Sequence, residues 1–135
     1  MTDQEIEDIV TGAKTIAVVG LSPKADRPSF RVASYLQSKG YRIIPVRPGV
    51  EEILGEKAYP SLSHIPSDVE IDVVDIFRKS EDVPPVVEEA IKTNAKTVWM
   101  QEGIINEEAA QKAEAAGLRV VMDRCMLKEH RRFTG

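Results

Sequence analysis

The chain has 135 residues, and its 22 acidic and 18 basic side chains give a net charge of −4. This acidic balance argues against general nucleic-acid binding, which needs a basic surface, and no apolar run is long enough to cross a membrane. The length fits a single domain over residues 1–135. The one cysteine, Cys125, cannot form an internal disulfide, which fits a reduced, cytoplasmic setting.

Short apolar runs typical of buried strands alternate with helical patterns along the chain. Thr2 and Glu5 have the spacing of a capping box, and Asn106 is placed to cap a later helix. Strands are predicted at 15–20, 41–46, 71–77, 96–100 and 118–122. Helices are predicted at 2–10, 28–39, 80–94, 107–116 and 124–132, and residues 50–68 are predicted to form a connection with room for one short helix.

This alternation predicts an α/β domain, in the form of a Rossmann-type, doubly wound parallel sheet of about five strands with helices on both faces. Ligands of such sheets bind beyond the carboxyl ends of the strands, near the point where the strand order reverses. Loops that follow the strands are therefore expected to meet at one edge of the sheet. These loops are 20–27, 47–49, 77–80 and 101–106.

The loop after the first strand has the residue types of a phosphate site. Gly20 allows a sharp turn that brings backbone N–H groups towards a ligand, and the helix beginning at Pro28 offers its positive end to an anion. Ser22 can donate a hydrogen bond, while Lys24 and Arg27 supply positive charge. However, only Gly20 matches the dinucleotide fingerprint G-x-G-x-x-G, and no Walker A sequence is present. An ordinary connecting loop with solvated basic side chains is the alternative.

The residues at the end of the second strand help to distinguish which class of nucleotide the site would bind. A typical NAD site has Asp or Glu here, which binds the ribose hydroxyls, whereas this chain has Val46, Arg47 and Pro48. Arg47 disfavours NAD and suits a ribose that carries a phosphate, as in NADP at the 2′ position or coenzyme A (CoA) at the 3′ position. A surface arginine on a turn is the alternative.

The loops after the third and fourth strands add further candidates. Phe77 would stack on an adenine while Arg78 holds a phosphate, unless Phe77 belongs to the core and Arg78 is simply solvated. Glu102, between Gln101 and Gly103, follows the fourth strand at the mouth of the expected site, where a general base would stand. Without a partner acid or nucleophile, a backbone hydrogen bond or contact with solvent is the simpler expectation for Glu102.

The loop after the fifth strand contains Arg124 and Cys125. A neighbouring cation and a helix N-terminus would both favour the reactive thiolate, so that Cys125 would act as a nucleophile or pair with the thiol of pantetheine. A buried structural cysteine is the commoner outcome. His64 and His130 are far apart in the sequence and have no metal-ligand spacing with Cys125, so no metal site is predicted.

Short motifs follow one another over nearly the whole chain. They are V-V-G-L-S-P-K at 18–24, Y-R-I-I-P-V-R-P at 41–48, G-E-K-A-Y-P-S-L at 55–62, D-V-V-D-I-F-R at 72–78, V-W-M-Q-E-G at 98–103, D-R-C-M at 123–126 and E-H at 129–130. In this order and spacing, they resemble the stand-alone CoA-binding domain proteins of bacteria and archaea, the YccU-like CoA-binding family. That family is similar to the N-terminal domain of the succinyl-CoA synthetase alpha subunit.

The resemblance implies a Rossmann fold and CoA binding. By analogy with the synthetase domain, the loop from Gly20 through Leu21 to Lys24 would lie along the CoA phosphates, and segments 47–49 and 101–103 would also approach CoA. Many family members carry Asn where this chain has Arg47, so that contact is expected to differ. The synthetase continues into a ligase domain with a phosphorylated histidine, and this chain ends before it, so ligase activity is not expected.

The residues alone favour a nucleotide that carries a ribose phosphate, and the resemblance narrows this to CoA or an acyl-CoA. The expected protein is small, has no catalytic residues or metal of its own, and is a monomer or a weak homodimer. One alternative is a thiol-dependent enzyme or redox protein that uses Cys125. The others are an NADP-binding module and a regulatory subunit whose pocket is vestigial.

Overall fold

Strands and helices alternate along residues 1–134, which the computed structural model describes. The strands are β1 (Thr15–Val19), β2 (Arg42–Val46), β3 (Glu52–Ile53), β4 (Glu56–Lys57), β5 (Val73–Ile76), β6 (Thr97–Met100) and β7 (Arg119–Val121). The α-helices are α1 (Asp3–Gly12), α2 (Pro28–Ser38), α3 (Val83–Ile91), α4 (Glu107–Ala115) and α5 (Met126–Thr134). Short 3-10 helices occupy Leu62–His64 and Ser80–Asp82. No helix in this described part combines the length and the apolar character needed to cross a bilayer.

Five of the strands form one parallel sheet in the order β2-β1-β5-β6-β7. From β1 the chain moves outward to β2 and then returns to the other side of β1 for β5, so the strand order reverses between β1 and β5. In this register, Val18 lies between Pro45 of β2 and Asp75 of β5. The predicted doubly wound, Rossmann-like sheet is confirmed, and its reversal point is the expected place for a ligand.

The two faces of the sheet carry separate apolar layers. Alternation along β1 directs Ile16 and Val18 to one face, and Ala17 and Val19 to the other. The first face packs against α1, α2 and α5, and the second packs against α3 and α4. Because both faces are covered, β1 is apolar from Ile16 to Val19 rather than alternating between apolar and polar residues. Helices lie on both faces, as predicted.

Polar residues and a proline set the helix boundaries that the sequence predicts. Thr2 and Glu5 form the capping box of α1, in which each backbone N–H donates to the other side chain at 3.2 Å. Pro28 occupies the first turn of α2, where a missing N–H removes no helical hydrogen bond. Asn106 caps α4, since its Oδ1 accepts the N–H of Ala109 at 2.9 Å.

The structure corrects the prediction for residues 50–68. Strands β3 and β4 form an antiparallel hairpin there, ahead of the 3-10 helix at Leu62–His64. The turn between them has Leu54 at φ 57° and Gly55 at φ 75°. Such two-residue turns are usually recognised from Asn-Gly or Asp-Gly, and Leu-Gly lacks that signal.

Two helices begin later than predicted. The segment predicted as a helix over 80–94 starts with the 3-10 turn at Ser80–Asp82, and α3 begins only at Val83. The helix predicted over 124–132 begins at Met126. Asp123 has a left-handed backbone with φ 60°, which turns the chain between β7 and α5 and delays the start of the helix.

Candidate functional site

A cleft of about 610 Å³ opens at the carboxyl edge of the sheet, beyond the ends of β1, β2 and β5. This is the point where the strand order reverses, as the fold leads one to expect. The walls come from the loop after β1, the first turn of α2 and the loops after β2, β5 and β6. The lining residues are Gly20, Ser22, Pro23, Lys24, Arg27, Pro28, Ser29, Arg47, Phe77, Arg78, Lys79 and Ile104.

Positive charge dominates this cleft. Among residues 1–134, its lining contains no Asp or Glu but five cationic side chains, which are Lys24, Arg27, Arg47, Arg78 and Lys79. The chain as a whole carries a net charge of −4, so its acidic residues lie elsewhere. Charges of one sign gathered around a concave site concentrate the electrostatic field there. The cleft therefore suits a ligand that carries several negative charges.

Gly20 brings the ends of three strands together at the floor of the cleft. Its N–H donates to the carbonyl oxygen of Val46 on β2 at 2.9 Å, while the N–H of Phe77 donates to the carbonyl oxygen of Val19 on β1 at 2.8 Å. Gly20 has φ 85°, and a Cβ at this position would collide with the carbonyl oxygen of Phe77. Glycine alone meets both requirements without strain. The floor of the cleft is therefore closely packed backbone.

The first turn of α2 faces the cleft. Arg27 occupies the capping position, but its side chain makes no capping hydrogen bond, and Pro28 follows it. Ser29 belongs to no motif that marks it as a site residue, yet its Oγ accepts the N–H of Ser22 at 3.0 Å, and Ser22 Oγ accepts the N–H of Lys24 at 3.1 Å. These bonds hold the loop against the start of the helix, whose positive end is open to an anion.

Two predicted site residues at the ends of β1 and β2 point into the core. Leu21 is fully buried in the layer between the sheet and α2, and Val46 is buried in the opposite layer. Only their backbone atoms can contact a ligand in the cleft. Phe77 packs against the layer between the sheet and α2 and also lines the cleft, so it belongs to the core and still faces the cleft, while its stacking on an adenine stays a prediction. Pro48 is exposed and lines an adjoining recess together with Arg47.

The predicted residues of the loop after β6 lie outside the cleft lining. Gln101 is buried, Glu102 forms an exposed ion pair with Lys128 at 2.9 Å, and the N–H of Gly103 donates to Asp123 Oδ1 at 2.7 Å. The loops after β6 and β7 are therefore tied to each other, and Glu102 is paired with a cation of α5.

The predicted residues of the loop after β7 also lie outside the cleft lining. Arg124 pairs with the buried Glu129 at 2.8 Å, and Cys125 is half-buried against the α2 layer. Ile104 is the residue of these two loops that lines the cleft, and no sequence motif singled it out. Within residues 1–134, no group of three or more His, Cys, Asp or Glu side chains is arranged to hold a metal ion.

The chain is similar to known proteins over nearly its whole length. A family described as "CoA binding domain" matches residues 14–131. The uncharacterised protein YneT of Bacillus subtilis strain 168 is 47% identical over 93% of this chain and 92% of its own length. The solved structure of a hypothetical protein from Pyrococcus horikoshii OT3 is 47% identical with a TM-score of 0.95, and the match covers 100% of this chain and 94% of that one.

Much longer enzymes contain a similar part. The ADP-forming acetate–CoA ligase II of Archaeoglobus fulgidus is 31% identical over 75% of this chain, which spans only 15% of that ligase. The apo structure of the dinucleotide-forming acetyl-coenzyme A synthetase 1 of Ca. Korarchaeum cryptofilum is 27% identical with a TM-score of 0.71, over 82% of this chain and 26% of that one. With most of its residues matched by the family and its fold shared with these proteins, the chain belongs to the CoA-binding domain family.

Proposed function

We propose that this chain binds CoA, or an acyl-CoA, as a stand-alone module in the cleft at the carboxyl edge of the sheet and catalyses no reaction by itself. The observation that carries this proposal is the convergence of five cationic side chains from three loops on one cleft, to whose lining the described part of the chain contributes no Asp or Glu. CoA matches such a cleft because its diphosphate and its 3′-phosphate are clustered around one ribose. Charge-assisted hydrogen bonds from Lys and Arg to phosphate are among the stronger polar contacts in proteins.

Each part of CoA has a candidate partner. The loop from Gly20 to Lys24, with Arg27 and the first turn of α2, would hold the diphosphate. Arg47 would hold the 3′-phosphate, and Phe77 would stack on the adenine beside Arg78. These residues, Lys24 included, meet in the cleft and the recess beside it.

The pantetheine arm and any acyl group would extend towards the loops after β6 and β7. We propose backbone and side-chain contacts there from Gln101, Glu102, Gly103, Arg124 and Cys125, which follow neighbouring strands at the same edge of the sheet. None of these residues lines the cleft itself, so these contacts would be made where the arm leaves the cleft.

Calorimetric titration with CoA, dephospho-CoA and NADP tests the proposal. We expect CoA to bind about 10- to 100-fold more tightly than dephospho-CoA, since one charge-assisted hydrogen bond is worth about 1.5–3 kcal/mol. NADP should bind more weakly than CoA, because the chain lacks the glycine fingerprint of a dinucleotide site. Absence of CoA binding at millimolar concentration would refute the proposal.

A pair of arginine variants assigns the 3′-phosphate contact. Arg47→Gln should weaken CoA binding and leave dephospho-CoA binding nearly unchanged, so that the two ligands become similar in affinity. Arg42→Gln makes the same change in charge at the exposed start of β2, on the opposite edge of the sheet, and should bind both ligands like the unmodified protein. If the unmodified protein and Arg47→Gln had the same ratio of CoA affinity to dephospho-CoA affinity, Arg47 would not be the residue that contacts the 3′-phosphate.

A further inference from the structure

A carboxyl group lies at the centre of the molecule. Asp75 is on β5, the middle strand of the sheet, and its side chain is fully buried. In the register of the sheet it is flanked by Val18 on β1 and by Trp99 on β6, so it lies in the apolar layer that packs against α1, α2 and α5. None of the contacts proposed between the cleft and CoA involves Asp75.

The polar contacts of Asp75 are incomplete. The side-chain amide of Gln101 donates to Asp75 Oδ1 at 2.6 Å, and Oδ2 has no hydrogen-bond partner within residues 1–134. An ionised carboxylate with one donor is costly in such an environment. Burial accordingly raises the pKa of Asp75 to about 7, and the hydrogen bond from Gln101 offsets this only in part. The acid is therefore poised to change its charge near neutral pH.

The elements packed on this face bring few charges towards Asp75. The titratable groups they contribute are Tyr35 of α2, Tyr41 ahead of β2, and Cys125, Glu129 and His130 at α5. Glu129 is paired with Arg124 and Arg132, and His130 is hydrogen-bonded to Tyr35. The buried side chains of α1 are apolar. On the side of the cleft, the closest cations in the sequence are Arg78 and Lys79.

Asp75 is close to the cleft along its own strand. It precedes Phe77 by two residues, a distance of roughly 7 Å in an extended strand, and Phe77, Arg78 and Lys79 line the cleft. Its hydrogen-bond partner Gln101 directly follows β6 and leads into the loop that contributes Ile104. An ionised Asp75 would therefore place a poorly solvated negative charge beneath a site that attracts anions.

We propose that Asp75 is a proton-linked control group for the cleft: anionic ligands bind tightly when Asp75 is protonated and more weakly when it is ionised. This inference rests on the proposed function only in requiring that the cleft binds a polyanion. The charge of the ligand disfavours a second negative charge beneath it, so ligand binding favours the protonated acid. By linkage, protonation raises ligand affinity to the same extent, and affinity falls as the pH rises through neutrality.

The pH dependence of CoA affinity in matched variants tests the proposal. Asp75→Asn is permanently neutral and similar in shape, and Asp68→Asn makes the same change at an exposed position. Between pH 6 and pH 8.5, the CoA affinity of the unmodified protein and of Asp68→Asn should fall about tenfold relative to that of Asp75→Asn. A factor of this size is expected for a carboxylate and a ligand phosphate about 10 Å apart at an effective dielectric constant of about 20. The ionisation of CoA itself cancels, because all three proteins bind the same ligand. Parallel pH profiles for all three would overturn the proposal.

A second measurement needs neither a variant nor CoA. The carboxyl carbon of Asp75 can be titrated by NMR in the unmodified protein, first free and then saturated with inorganic diphosphate as the anion in the cleft. We expect a midpoint near pH 7 in the free protein and a higher midpoint in the complex. A midpoint below about pH 5 in the free protein, or an unchanged midpoint in the complex, would overturn the proposal. Failure of CoA to bind would refute the proposed function but would leave this titration interpretable.

Discussion

Among single residues, Gly20 is the position where the cleft tolerates the least change. Its left-handed backbone, at φ 85°, lets β1 end against β2 and against the carbonyl oxygen of Phe77. Any side chain at this position would have to push the end of β5 away. Since Phe77 and the residues after it line the cleft, such a displacement would alter the site as well as the fold.

Gly20→Ala should lower the free energy of unfolding by about 2–4 kcal/mol. The left-handed conformation alone costs about 1–2 kcal/mol for a residue with a Cβ, and the collision with Phe77 adds the cost of moving a packed strand. Urea denaturation measures the change. Gly12→Ala is the matched control, because Gly12 ends α1 and a Cβ added there would meet no atom within 4 Å, and its stability should stay within about 1 kcal/mol. Equal stability of the two variants would contradict the assigned role of Gly20.

Individual site residues differed in how readily the sequence revealed them. Lys24, Arg27 and Arg78 belong to loops that follow predicted strands, and strand ends converge at one edge of a parallel sheet, so their meeting in the cleft was predictable. Ile104 lines the cleft because of the path of its loop. A loop has no periodic sequence pattern, so this contact could not be predicted from the sequence. Asp75 lies in the middle of an apolar strand that is buried on both faces, and a sequence alone does not show whether such an acid finds a partner.

At the scale of elements, the loops after β5 and β6 are joined by Asn106. Its Oδ1 accepts the N–H of Ala109 at 2.9 Å and so caps α4, while its Nδ2 donates to the carbonyl oxygen of Ser80 at 3.0 Å. The N–H of Ile105 also donates to Ser80 Oγ at 3.0 Å. One amide therefore begins a helix and fixes the loop that carries Ile104 into the cleft.

Asn106→Ala should destabilise the protein by about 1–2 kcal/mol, because it removes a helix cap and leaves the Ser80 carbonyl without this donor. Thermal and urea unfolding both report the change. Gln111→Ala removes an exposed amide from the middle of the same helix and should stay within about 0.5 kcal/mol of the unmodified protein. Equal stability of Asn106→Ala and Gln111→Ala would show that the Asn106 cap does not stabilise the protein.

The elements of the main sheet were predictable because local pattern and final environment agree. Strand β1 is apolar from Ile16 to Val19 and is buried on both faces, as that pattern requires. The hairpin of β3 and β4 was missed because its strands are two residues long and largely charged, and its turn contains Leu54 rather than Asn. Leu54 also packs against the α2 layer, so tertiary contacts support a turn that local preference would not select.

For the molecule as a whole, the distribution of charge matters more than its total. A net charge of −4 would repel an anion at long range, yet the cleft lining, as far as residues 1–134 form it, contains five cations and no Asp or Glu. The net charge therefore does not indicate the sign of the local field in the cleft. The strand-end rule, applied to loops whose cations are visible in the sequence, places those cations at one edge of the sheet. The ligand is expected to be held largely by these short-range charges.

This separation of charge predicts a strong dependence of CoA binding on ionic strength. Raising NaCl from 0.1 M to 1 M shortens the Debye length from about 10 Å to about 3 Å, so attraction from cations not in direct contact with the ligand is lost. CoA affinity should fall by about tenfold over this range, which corresponds to a loss of about 1.4 kcal/mol of binding free energy. Titration calorimetry at fixed pH measures it. Arg47→Gln should reduce the slope, since one cleft cation is missing, whereas Arg42→Gln should keep it. A salt-independent affinity would mean that apolar and neutral polar contacts, rather than the cations of the cleft, hold the ligand.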